Sequence, residues 1–193
     1  MKFIKKNLPV SLLSLALVSG AAMADWQVDN ANSSVYFIST KNINISEIHH
    51  FTQVSGKLTD NGQFSLDIDL ASVETAIDIR NSRMREHLFK VDSFPKARVS
   101  ATVPAEALKL TNGNSMQLEL PATLTVMGID KALTINALVS KTAAGQYVVS
   151  STKPILLSAA DVGMQEGVEV LQKIAGLSSI GLTVPVSFNL QLN

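Results

Sequence analysis

Phe64-Ser65-Leu66-Asp67-Ile68-Asp69-Leu70 is the stretch on which the fold class turns. Every second residue is apolar and the residues between are polar, which is the two-residue period of a strand with one buried face. Just upstream, Asp60-Asn61-Gly62 gathers turn formers, with a glycine able to take the positive φ of a tight connection. Val54 to Leu58 lies on the other side of that turn, so the spacing predicts a hairpin of Val54 to Leu58 with Phe64 to Leu70. Phe64, Leu66 and Ile68 fall on its inner face. Asp67 and Asp69 fall on a solvated outer one.

The same period recurs along the chain. Met116, Leu118, Leu120, Ala122, Leu124 and Val126 keep one phase and predict a long strand, broken at Met127-Gly128-Ile129-Asp130 and resumed over Leu133 to Val139, with Leu133 and Ile135 inward. Gln146 to Ser151 follows the turn Ala143-Ala144-Gly145, and Leu182 to Leu192 alternates without a fault, placing Val184, Val186 and Phe188 on one face. Pro185 within that run has no N–H to donate, which calls for an edge, a bulge or an N–H position turned away from a partner. Two segments read as helices instead. Ala76 to Lys90 spaces Ile77, Ile79, Met84, Leu88 and Phe89 among charges, and Met164 to Ala175 sets Val168, Leu171, Ile174 and Ala175 on one side, with Gly176 as a C-cap.

Long antiparallel strands must cover their edges, and closure into a barrel does so most completely. The expected fold is therefore mainly β: a single antiparallel barrel of about eight strands with one or two helical insertions. Such a barrel either fills its interior or leaves a slot for one elongated apolar ligand. Aromatic residues make up only 5% of the chain, a composition consistent with space left inside.

The chain divides into two parts. Met1-Lys2-Phe3-Ile4-Lys5-Lys6 is a short basic region, Leu8 to Val18 is apolar, and Ala22-Met23-Ala24 offers a small-x-small cleavage site. Residues 1–24 are expected to be a cleavable signal peptide, since the apolar run falls short of the roughly 20 residues that span a bilayer. Residues 25–193 form one domain, exported, with no stable membrane insertion expected. Losing Lys2, Lys5 and Lys6 takes the 16 basic residues to 13 against 16 acidic ones, a net charge of −3, which argues against nucleic acid as a partner. The absence of cysteine excludes disulfides, thiolate catalysis and Cys-ligated metal sites together.

Several segments, taken in order, resemble the YceI-like family. Trp26-Gln27-Val28-Asp29 followed by Ser33-Ser34-Val35-Tyr36-Phe37 is similar to its first strand. Ser72-Val73-Glu74-Thr75, Arg85-Glu86-His87-Leu88 and Phe94-Pro95-Lys96-Ala97 resemble its strand, helix and following passage, and Leu124 to Thr134 its most recognisable hairpin. The stretch Asn42 to His50 departs from the pattern, as does the spacing between Leu88 and Phe94. The resemblance implies a lipocalin-like periplasmic barrel that holds a polyisoprenoid chain, or that of a quinone-type lipid, without a cofactor.

On this reading the apolar channel is lined by Phe64, Leu66, Ile68, Leu118, Leu120, Leu124, Val126, Leu133, Ile135, Val184, Val186 and Phe188, with Leu88 and Phe89 near the mouth. Arg80, Arg83 and Arg85 on the first helix are candidates for meeting a polar or phosphate head group; the plainer reading is a charged helix surface. Two other functions remain open. One is a small periplasmic enzyme using His49, His50 or His87 as acid–base or metal residue, although no His-Glu-x-x-His spacing occurs and surface loop histidines explain the pair equally well. The other is a stress-response interaction module with a packed barrel that acts through its loops. No metal site and no catalytic residue is assigned, because no Gly-x-Ser-x-Gly elbow or metal-ligand spacing is present.

Overall fold

A computed structural model describes residues 25–193; the expected signal segment, 1–24, lies outside the described residues. The strands, in chain order, are β1 (Trp26–Gln27), β2 (Ser34–Lys41), β3 (Ile45–Phe51), β4 (Val54–Leu58), β5 (Gln63–Asp69), β6 (Val73–Glu74), β7 (Lys96–Thr102), β8 (Ser115–Val126), β9 (Ile129–Lys141), β10 (Tyr147–Ser151), β11 (Ile155–Ser158) and β12 (Thr183–Leu192). The helices are α1 (Asp78–Arg83), which continues as a π-helix over Met84–Leu88, then α2 (Ala105–Leu108) and α3 (Gln165–Ala175).

All strands pair antiparallel in one curled sheet, ordered β1-β4-β5-β7-β8-β9-β10-β12-β2-β3-β6 with β11 beside β12. The twelve segments reduce to eight positions plus the short β6. β1 and β2 are successive parts of one bent strand, pairing with β4 and β3, which are parts of another, and β10 and β11 both lie along β12. The ends of this path meet. β12 pairs with β2, Val28 bridges to Leu192, and Gln27 and Asn193 exchange backbone hydrogen bonds of 2.8 and 2.9 Å. The first and last strands thus join, leaving no long free edge there. The antiparallel barrel of about eight strands expected from alternation is what the chain forms.

The turns follow their residues. Leu58 pairs with Phe64 and Val54 with Ile68, and Gly62 in the connecting turn has φ 84°. Met127 and Gly128 alone connect β8 to β9, both at positive φ (53° and 74°), so Val126 pairs directly with Ile129. The expected four-residue break is therefore a two-residue turn whose backbone twist matches that of the strands, and Ile129 already belongs to β9. Pro185 pairs toward β11 but lies outside the β2 pairing, which begins at Val186, so its missing N–H costs no ladder bond on that side.

The helices close over the sheet. Phe89 N–H donates to the Met84 carbonyl at 2.9 Å, the wide closure of a π-turn, which leaves Phe89 buried. Gly167 of α3 lies against this turn so closely that a Cβ there would be 2.6 Å from the His87 carbonyl oxygen. Gly176 caps α3 at φ 63°, as the sequence predicts. The predicted apolar face of α3 holds only in part: Val168 is buried, but Ile174 is 40% exposed and Ala175 is exposed too, because only the N-terminal half meets the π-turn and cavity. The single-turn α2 and the strands β7 and β11 went unpredicted. So did β3, over Ile45–Phe51, whose sequence alternates poorly. Asp67 is not merely solvated: Arg98 grips it through Nε at 2.6 Å and Nη2 at 2.8 Å across the β5–β7 pair.

Candidate functional site: an apolar cavity along the barrel

The inward faces of the strands enclose a cavity of about 230 Å³. Its lining carries no charged residue, and the one hydroxyl in it, of Tyr147, donates to the Leu108 carbonyl at 2.8 Å. All fourteen channel residues named from the sequence line it: Phe64, Leu66 and Ile68 from β5; Leu118, Leu120, Leu124 and Val126 from β8; Leu133 and Ile135 from β9; Val184, Val186 and Phe188 from β12; Leu88 and Phe89 from the π-turn and its end. Alternation brings them together because inward residues on eight strands converge on one axis. Val184, Val186 and Phe188 face inward yet are only half-buried, as side chains are when they border space.

Sequence reasoning missed other lining residues. Phe37 on β2 sits between Tyr36 and Ile38, and Phe51 on β3 follows Ile48 and two histidines, which hides the period. Ala97, Val99, Ala101 and Val103 do alternate, and a closer count over β7 and its end would have found them. Small residues on the strand lining, Ala97, Ala101 and Ala137 among them, help explain why space remains. Behind Tyr147, Trp26 packs against the core and meets the Tyr147 ring edge-on at 5.3 Å, with the Lys141 ammonium 5.0 Å from the Tyr147 ring centre.

None of Arg80, Arg83 and Arg85, the candidates for a head group, lines the cavity. Arg80, with 24% of its side chain exposed, is held by Glu47 at 2.9 Å and by the Thr75 hydroxyl at 2.9 Å. Arg85 reaches Ser82 Oγ at 3.4 Å and the Ala71 carbonyl at 3.5 Å, on the outside of the barrel. Of the apolar residues expected on this helix only Met84, Leu88 and Phe89, at its π-helical end, pack inward, whereas Ile77 and Ile79 are 46% and 58% exposed.

The histidines do not converge either. His49 and His50 lie on a strand, not in a loop, and so point to opposite faces. His49 is 2% exposed, bonded through Nε2 to Ser39 Oγ at 2.9 Å, and its pKa is pushed down by burial first and by the nearby Arg80 charge second. His50 tilts against the Tyr36 ring at 6.1 Å, and His87 on the π-turn lies 3.8 Å from a Glu86 carboxylate oxygen. Among the described residues no three His, Cys, Asp or Glu side chains are grouped to hold a metal. No helix among them is long and apolar enough to cross a membrane.

Comparison with known proteins agrees with this architecture. No match is found among curated proteins. A solved polyisoprenoid binding domain from Saccharophagus degradans, described as implicated in plant cell wall breakdown, is 34% identical, covers 89% of this chain and 98% of its own, and superposes with a TM-score of 0.85. BcnA of Burkholderia cenocepacia, at 20% identity, 85% and 98% coverage and a TM-score of 0.65, shares the fold. The model of the YceI-like domain matches residues 26–192, nearly everything described above, and the chain belongs to that family.

Proposed function

We propose that this protein is a non-enzymatic binding and carrier protein of the periplasm that holds a polyisoprenoid or similar long-chain amphiphile in its barrel. The observation that carries this reading is the lining: a cavity running along the barrel, bordered from every side by aliphatic and aromatic residues and offering no charged group. Such a site has no means of polarising a substrate. It binds by removing apolar ligand surface from water, at about 25 cal/mol per Å², less the cost of ordering the chain. The polyisoprenoid binding of the 34% identical Saccharophagus domain supports this class of ligand. Delivery to the periplasm rests on residues 1–24 acting as a signal peptide, with Asp25 as the first mature residue.

Purification from the native periplasm, lipid extraction and mass spectrometry test the proposal. A stoichiometric isoprenoid or other long-chain lipid is the expected result. A protein that carries no lipid and takes none up from solution would refute it, as would a mature chain that keeps Met1 in the membrane fraction.

A further inference from the structure

The inward face of the β2–β3 hairpin changes character along its length. Residues in register share a face, so Val35 and Phe51, Phe37 and His49, and Ser39 and Glu47 stand opposite one another on this side of the sheet. Val35, Phe37 and Phe51 line the cavity. Beyond them on the same face come His49 and Ser39, and then Glu47 and Lys41, which Arg80 of α1 joins. An apolar lining, a neutral polar pair and a partly solvated charge cluster follow one another, the order of groups met by an amphiphile lying with its head toward water.

Within this series His49 stands out. Its ring is 5.2 Å from that of Phe37, which is 5.4 Å from Phe51, itself 5.8 Å from Phe89. Three of these four rings line the cavity, and the imidazole is the next in the stack. Nε2 is engaged by Ser39 at 2.9 Å, while Nδ1 is buried without a hydrogen-bond partner among the described residues. Buried polar atoms are nearly always partnered, and an unpaired one destabilises the fold. A phenylalanine would match the neighbouring rings without that cost.

We propose that His49, backed by Ser39, is the head-group subsite of the cavity and takes the neutral oxygen of a long-chain amphiphile, a carbonyl or a hydroxyl, at Nδ1. The inference rests on the carrier reading above. If Ser39 donates to Nε2, the imidazole proton is on Nδ1 and meets a carbonyl; if Ser39 accepts from Nε2–H, Nδ1 is a lone pair and meets a hydroxyl. Charge is not the recognition element, because Glu47 engages both Lys41 at 2.7 Å and Arg80 at 2.9 Å. Seating the head group requires the side chains covering Nδ1 to turn aside. The chain then runs away from the hairpin toward Tyr147, which pairs with Leu192, six residues along β12 from the Val186 opposite Phe37.

Two probes separate head from chain: a farnesyl-substituted benzoquinone, and squalene, an isoprenoid hydrocarbon with no polar atom. Calorimetric binding to the wild type, His49→Phe and the double variant His49→Phe/Ser39→Ala is compared. Both variants should bind the benzoquinone about two- to tenfold more weakly, the range set by one net hydrogen bond, and squalene no more weakly than the wild type does. In the wild type the His49 Nδ1 nitrogen resonance should move on adding the benzoquinone and stay in place with squalene, a readout that needs no variant to fold. Equal binding by all folded forms of both the benzoquinone and its hydroquinone, which supplies the hydroxyl, or a resonance that neither moves in the saturated wild type, overturns the subsite and leaves the carrier reading intact. Failure of the wild type to bind either probe overturns both.

Discussion

Replacing Ala101 by leucine separates a barrel that holds space from one filled by its own side chains. Ala101 lies on β7 between Phe64 of β5 and Ala122 of β8, faces the cavity and remains partly accessible. Leucine adds three carbon atoms, which at about 0.8 kcal/mol per buried methylene would gain at most ~2.4 kcal/mol if they enter the cavity unhindered. Imperfect fit reduces the gain, and about 1 kcal/mol is expected, a rise in midpoint of roughly 2–4 °C for a domain of this size. In a packed core the same insertion costs about 1–3 kcal/mol. The two readings differ in sign. Ligand affinity should move the other way: a side chain that displaces about 50 Å² of ligand surface costs ~1.3 kcal/mol, roughly tenfold in Kd. Urea unfolding of delipidated protein and titration with a long-chain isoprenoid measure both. A destabilised variant that binds as well as the wild type would refute the cavity as the binding site.

Charge placed on the two faces of a strand should act oppositely: Leu120→Lys, which buries an unpaired charge in the lining, should unfold the protein or cost more than about 3 kcal/mol, while Glu119→Lys on the exposed face should change the urea midpoint little. Equal losses would show the β8 register to be wrong. Stability should fall as pH drops below about 6.5, since the native pKa of His49 is held under that ordinary value and the unfolded chain then binds the extra proton. Chemical denaturation from pH 8 to 5 should show this slope in the wild type and not in His49→Phe. A second fall, retained in that variant, should begin near pH 4 as Asp67, kept acidic by Arg98, and Glu47, kept acidic by Lys41, take up protons. Gly167→Ala should destabilise by about 1–3 kcal/mol, because its Cβ would meet the His87 backbone and push α3 off the π-turn; a neutral result would mean that the two helices are not in tight contact.

The sequence by itself determined the strands that alternate cleanly and the side of each that faces inward. In Phe64 to Leu70, Met116 to Val126 and Thr183 to Leu192, side-chain direction is a local property of extended backbone, and alternation reports it without reference to the rest of the chain. That local rule was enough to name twelve lining residues on strands and the hairpin turns. Tertiary structure decided what local rules cannot reach. Arg80 is held by Glu47, on a strand 33 residues away, a pairing that no local pattern shows. His49 passed from an expected loop to a buried position because β3 pairs with β2 and turns it inward beside Phe37, although Ile45 to His50 carries no clean period. Whether the inward residues touch or leave a cavity depends on closure of the ring through Gln27 and Asn193, at opposite ends of the domain, and on small residues such as Ala101 meeting across it. Direction along a strand is set by the bonds of that strand, whereas the distance between facing side chains is set by how many strands close and in what register, a sum over contacts far apart in sequence.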